Sequence, residues 1–385
     1  YRYFKSKLQE KVRDLLGGEF WIDNYGWALE GSGGRNQIKN VGDVINVDNG
    51  ALIHFGHIFN QLEYNTDKLN AFVAASVSNT WYQREDRYNY LIDTKSDVVS
   101  KPAYDLKAGI NININEENNI YFNTGYYSKA PLFKFVFPNY NNSTSLDISN
   151  ENVFAMEIGY GLKHHLFNLK ANAYYTYWKD ISILSKEYIQ LEDNSQTRVL
   201  VKGLDALHIG IEIELSVKLK KDLEIGLMAS LGNWKWKNDV VADVFDINNN
   251  LIGTTKVYAN GLKVGDAPQT QMGIFLKSVL FNTFNVELDW TYNDRLYADF
   301  DPTNRNNAND RQQSYQLPSY HLVDVHLGRS FDLFNNQAFI GMSCYNLFNS
   351  TYIMRGQDGA NHNLDTFLGY WGFERTFNIQ FKLNF

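Results

Sequence analysis

The 385-residue sequence has a single cysteine, Cys344, only six prolines, and no run of eighteen apolar residues. A lone cysteine excludes a disulfide framework within the chain and any multi-cysteine metal cluster. The missing apolar run excludes a transmembrane helix, and a mean hydropathy of −0.39 taken alone reads as soluble. A β-barrel would read the same way, because half of each strand faces a polar lumen. Positive charge is short as well. With 36 Lys and Arg against 43 Asp and Glu, the net charge of −7 argues against the concentrated basic surface of a nucleic-acid binder.

Aromatics, by contrast, are abundant: 25 Tyr, 25 Phe and 8 Trp, 15% of the chain. Interfacial girdles of membrane barrels consume Tyr, Trp and Phe in this way. The last nine residues alternate strictly, with Phe377, Ile379, Phe381, Leu383 and Phe385 on one side of a strand and Asn378, Gln380, Lys382 and Asn384 on the other. This pattern fits a half-buried strand of a soluble sandwich, and equally the last strand of an outer-membrane barrel with lipid outside and water or a plug inside.

Other segments repeat the alternation. Leu207, Ile209, Ile211, Ile213, Leu215, Val217 and Leu219 oppose His208, Gly210, Glu212, Glu214, Ser216 and Lys218. Segments 104–114 and 284–292 do the same, whereas 50–65 offers no clean face. Paired strands are predicted at 50–65 and 68–83, 103–115 and 119–128, 152–163 and 166–178, 204–219 and 223–236, 269–281 and 284–297, and 319–332 and 336–348. A last strand spans 370–385, and a strand remnant opens the chain.

Connections between these strands alternate in length. Short turns fall near 65–67, 116–118, 164–165, 220–222, 282–283 and 333–335. Long polar loops fall near 6–49, 84–102, 129–151, 179–203, 237–268, 298–318 and 349–369. Short turns on one edge and long loops on the other are the plan of an outer-membrane barrel, periplasmic side short and extracellular side long; a sandwich has no reason to sort its loops. The fold expected is therefore all-β, an antiparallel transmembrane β-barrel in the outer membrane, with a periplasmic C-terminus. A short helix is predicted over Leu8–Leu16, capped by Gly17 and Gly18. Gly31-Ser32-Gly33-Gly34 reads as flexible linker. The chain opens at Tyr1-Arg2-Tyr3-Phe4-Lys5 without Met or signal peptide, so it is expected to be the C-terminal part of a longer precursor.

At Tyr126-Tyr127-Ser128-Lys129-Ala130-Pro131 the sequence resembles the aromatic-Ser-Arg/Lys-Ala-Pro strand end of TonB-dependent outer-membrane receptors. Asn150-Glu151 and Glu157-Ile158-Gly159-Tyr160 resemble that family's "PE…ExGY" strand. Asn346-Leu347-Phe348-Asn349 followed by Tyr352 resembles its "NLFN…Y" signature, and Phe385 its terminal aromatic. The resemblance covers essentially the whole chain, with the texture of receptors from Bacteroidetes-type bacteria. It implies a barrel of about 22 strands around a plug, of which roughly fourteen strands are visible here as one C-terminal barrel portion. It also implies a TonB complex acting through the plug, the barrel assembly machinery reading Phe377 to Phe385, and a surface lipoprotein as a further partner. The plug and the TonB-contacting segment have no counterpart in these residues.

Candidate ligand contacts are the inward aromatics Tyr174, Trp178, Trp234 and Trp236, and the loop-base cations Arg84, Arg295 and Arg355; girdle or wall packing is the competing account. Glu212, Glu214, Glu224, Glu287 and Asp289 are predicted to line the lumen. His54 and His57, three apart on a strand, point to opposite faces and cannot chelate one ion together. His164 and His165 fall in a turn. Haem receptors of the resembled family carry a His in the loop after Ala-Pro, and Leu132 to Ser149 has none. No nucleophile-base order, phosphate loop or metal spacing occurs in its structural context. No enzyme activity and no cofactor are therefore expected. The reading is uptake of a scarce nutrient: a siderophore, cobalamin, glycan or metal complex. A passive channel closing within about fourteen strands is the alternative.

Overall fold

The computed structural model describes residues 1–21, 38–90, 92–138, 141–145, 147–186, 189–190, 196–245, 251–334 and 336–384. The predicted linker at 31–34 and the terminal Phe385 lie outside the described residues.

A seventeen-stranded antiparallel sheet dominates. Its staves are β1 (Arg2–Lys5, continued by Leu8–Lys11), β2 (Val44–Asn65), β3 (Leu69–Asp86), β4 (Val99–Asn113), β5 (Asn118–Lys129), β6 (Glu151–Lys163) and β7 (Phe167–Leu184). They continue as β8 (Val199–Lys220), β9 (Leu223–Trp236), β10 (Thr270–Leu280), β11 (Phe284–Asp294), β12 (Tyr320–Leu333), β13 (Asn336–Tyr345) and β14 (Thr376–Asn384). Each pairs with its neighbours in sequence. The remaining strands of the sheet form an outer hairpin, Val240–Phe245 with Leu251–Val257, which joins the upper end of β8 through Val199↔Val244. Among the described residues, β1 and β14 are not paired with each other.

Among the described residues, tight turns at 66–68, 114–117, 164–166, 221–222 and 281–283 occupy one edge, and the longer connections leave Lys11, Asp86, Lys129, Leu184, Trp236, Asp294 and Tyr345 at the other. The predicted helix at Leu8–Leu16 is not found. Leu8–Lys11 is strand, with Leu8 opposite Asn49 and Lys11 opposite Val44. The long strand β2 offers a free ladder there, and pairing with it overrides the helical propensity of a short polar segment. The first long connection is correspondingly shorter than 6–49.

Register fixes the faces. Ile211 pairs with Ala173 and Leu231, and Glu212 with Asn172 and Ser230, so apolar and polar rows run continuously from strand to strand. Ile209, Ile211 and Ile213, like Phe377, Ile379 and Phe381, are exposed, and among the described residues no second sheet packs over them. A sandwich would bury this row; an apolar band that wide and uncovered is stable against lipid. No described helix is long and apolar enough to cross a membrane.

On the polar face, glycines sit beneath aromatic rings of neighbouring strands. A side chain at Gly159 would run into Tyr121, and one at Gly210 into Tyr174. The rings therefore lie flat along the wall rather than projecting into the lumen.

Candidate functional site

The long-connection rim has cores of its own. Val199, Val201, Leu204 and Trp236 at the strand tops pack with Ala242, Val257, Leu262 and Phe300 from two connecting segments. A second cluster joins Tyr82, Leu184 and Leu200 to Phe135, Val136, Phe137 and Ile148 of 130–150. The rim is thus folded, each buried side chain contributing on the order of 1.5–3 kcal/mol.

Charges lock it further. Arg305 is 0% exposed and reaches Asp358 at 2.7 Å and Asp310 at 3.5 Å. His362 stands between the same two acids, its Nδ1 2.6 Å from Asp358 and its Nε2 2.7 Å from Asp310. Segments 295–319 and 346–375 are clasped together by this quartet.

The sequence-derived ligand contacts divide into two groups. Trp234 Nε1 donates to the Tyr174 hydroxyl at 2.9 Å, and His208 lies between Trp178 and Trp234 with ring centroids 6.3 and 5.3 Å away. These residues share the lumen face, as alternation requires, and form one aromatic wall near the rim. Trp236 instead packs edge-on to Phe300 inside the rim core, centroids 5.6 Å apart. Arg84 is buried against Asp86 at 2.7 Å, with Asn142 beyond. Arg295 is held by Thr270 Oγ1 at 2.5 Å and the Gln269 carbonyl at 2.6 Å. Arg355 alone of the three points its charge into a cleft, stacked over Tyr370.

The motif residues hold the wall together. Lys129 pairs with Glu151 at 2.8 Å, Ala130 packs against the second rim cluster, and the Pro131 carbonyl accepts from Tyr82 at 2.7 Å. Glu157 accepts from Tyr121 and Asn172, both at 2.8 Å. Asn346, in the left-handed region at φ 51°, donates to the carbonyls of Ser350 and Phe373 and accepts from Ser350 N–H. Tyr352 stacks on Tyr320 with centroids 4.5 Å apart, while Phe348 is exposed. Phe377, Ile379, Phe381 and Leu383 of β14 pair with β13 opposite Cys344, Met342, Ile340 and Ala338.

The predicted lumenal acids do share one face. Glu214, Glu224, Glu287 and Asp289 line a wall cavity of about 830 Å³ together with Lys170 and Lys277. His57 stacks between Phe55 and Phe59 on this face, whereas His54 lies on the other beside Tyr3.

No protein-family model matches the sequence, and no curated protein is significantly similar to it. Solved structures do match. The copper transporter OprC superposes with a TM-score of 0.60 at 12% identity, covering 87% of this chain and 48% of OprC. The ferric citrate transporter FecA gives 0.57 at 13% identity over 91% of this chain and 48% of FecA. The siderophore receptor PiuA from Acinetobacter baumannii gives 0.57 at 13% over 90% and 45%. The fold is therefore the antiparallel β-barrel wall of TonB-dependent receptors. This chain spans about half the length of those proteins.

Proposed function

We propose that the chain is the C-terminal barrel portion of a Bacteroidetes-type TonB-dependent receptor in the outer membrane, C-terminus in the periplasm, importing a scarce nutrient. The observation that carries the reading is the sheet of sequential staves with tight turns on one edge and a folded rim on the other, overlaying metal and siderophore transporters along most of its length. The rim faces outward and captures the cargo. The aromatic wall of Tyr174, Trp178 and Trp234 and the charge of Arg355 contact it, and a plug moved by the TonB complex releases it inward. The barrel performs no bond chemistry. Barrel assembly machinery reads the last strand, and a surface lipoprotein pairs with the rim.

The likeness to copper, ferric citrate and siderophore transporters over 87–91% of this chain favours this reading over the passive channel. Siderophore, cobalamin, glycan and metal complex are the cargo classes to separate. Uptake of labelled members of each class should be measured in wild-type and gene-deletion cells, with and without a protonophore. Loss of one class on deletion, and equally under the protonophore, is the expected result. Protonophore-insensitive uptake would sink energy coupling.

A further inference from the structure

Where three of the long rim segments meet the end of β7, Lys186, Asp266, Asp299, Arg355, Gly356 and Tyr370 line a cleft of about 210 Å³. Two cations and two carboxylates converge on it, yet they barely use one another. Lys186 Nζ approaches Asp299 only to 3.5 Å. Among the described residues, the side chains of Asp266 and Arg355 make no hydrogen bond or ion pair, Arg355 being held over the Tyr370 ring at 5.0 Å from its centroid. Elsewhere in the rim a cation meets at least one carboxylate at close range, as Arg305 meets Asp358 at 2.7 Å and Arg311 meets Asp239 at 2.8 Å.

The backbone explains why the gap persists. Asp299 N–H donates to the Gly356 carbonyl and Asp358 N–H to the Asp299 carbonyl, fixing the two segments side by side. Asp266 sits in the left-handed region at φ 62°, its own N–H bonded to the Tyr297 carbonyl. The four charged ends are thus carried on a pre-set frame with spare hydrogen-bonding capacity, an arrangement suited to a ligand bearing both signs. Burial pushes the Asp299 carboxyl up to about 6, against the pull of Lys186. An ammonium group would relieve that penalty, and a planar carboxylate fits the fork of Arg355.

We propose that this cleft binds a small zwitterion, an α-amino acid or the amino-carboxylate end of a larger ligand. Its carboxylate sits on Arg355 and Lys186, and its ammonium on Asp299 and Asp266. The assignment does not rest on transport, since it concerns binding to the resting protein.

The test is calorimetric titration of the full-length protein in detergent at pH 7 with L-alanine, and with acetate and ethylammonium as half-ligands. Saturable L-alanine binding, at least tenfold tighter than either half-ligand, is expected. Arg355→Gln and the isosteric Asp299→Asn should each weaken it tenfold or more, with far-UV circular dichroism unchanged. No saturable binding in the millimolar range, acetate binding as tightly as L-alanine, or undiminished binding by both folded variants would overturn the assignment. A negative uptake assay leaves this result standing, and the converse also holds.

Discussion

Lys129 at the end of β5 and Glu151 at the start of β6 face one another across the sheet, joined at 2.8 Å. The intervening segment leaves the wall, packs its own apolar turn and returns to this pair. Lys129 is half exposed and Glu151 is buried. Glu151→Gln should therefore cost at most about 1 kcal/mol of global stability. Its effect should concentrate in faster proteolysis of 130–150, and nicking confined to other segments would count against a clasp here.

The face assignment makes a sharper prediction. Ile211 belongs to the uncovered apolar row and Glu212 to the polar row. Ile211→Lys should block outer-membrane assembly through a penalty of about 2–4 kcal/mol at mid-membrane depth. Glu212→Lys should assemble normally. Equal membrane yields by fractionation would show the faces to be misassigned.

Gly159 beneath Tyr121 offers a packing test. Gly159→Ala forces the ring off the wall and away from Glu157, at about 1–3 kcal/mol. The double variant with Tyr121→Ala should recover part of that loss, as measured by the temperature at which the folded barrel loses its fast-migrating gel band. An unrecovered double variant would place the cost elsewhere.

The clasp between 295–319 and 346–375 depends on a buried cation. Arg305→Met leaves Asp310 and Asp358 facing each other with only His362 between them. Removing one partner of a buried pair costs about 3–5 kcal/mol. Hydrogen exchange should rise across both segments while the staves stay protected.

Asp299 sets a pH dependence with opposite signs for two readouts. Its folded-state value of about 6 lies above the ordinary 3.8, so the rim is favoured by the protonated form. That stabilising contribution is complete below the ordinary value and fades as pH rises through 6. Ammonium binding needs the ionised form, so L-alanine affinity should rise about tenfold between pH 5 and 7, in step with the ionised fraction. Asp299→Asn should flatten both profiles, and a wild-type affinity independent of pH would remove Asp299 from the site.

How much of this is visible in a sequence depends on how locally it is written. Lipid on one side and a polar lumen on the other impose period-two alternation, so β8, β11 and β14 were readable residue by residue. Turn positions followed from the breaks between them. The strand at Leu8–Lys11 was not readable, because its apolar spacing suits a helix and only the neighbouring ladder of β2 decides otherwise. The rim was largely hidden too. Arg305 and Asp358 meet across more than fifty positions, and nothing periodic announces the contact. Tyr174, Trp178 and Trp234 were placed on the lumen face by alternation alone. That Trp236 belongs to the rim core, and that Arg84 is spent on Asp86, needed the tertiary contacts. The glycine-under-ring pairs were hidden as well, because Tyr121 and Tyr174 reach Gly159 and Gly210 from neighbouring strands.

Because every stave is bonded to the staves adjacent in sequence, the wall is assembled from interchangeable hairpin units. Inserting or deleting a whole hairpin at a tight turn would change the circumference without altering the register of any other pair. The circumference can thus change by steps of two strands, and the rim segments, which pack onto the strand tops, would have to re-form their cores around the new pair.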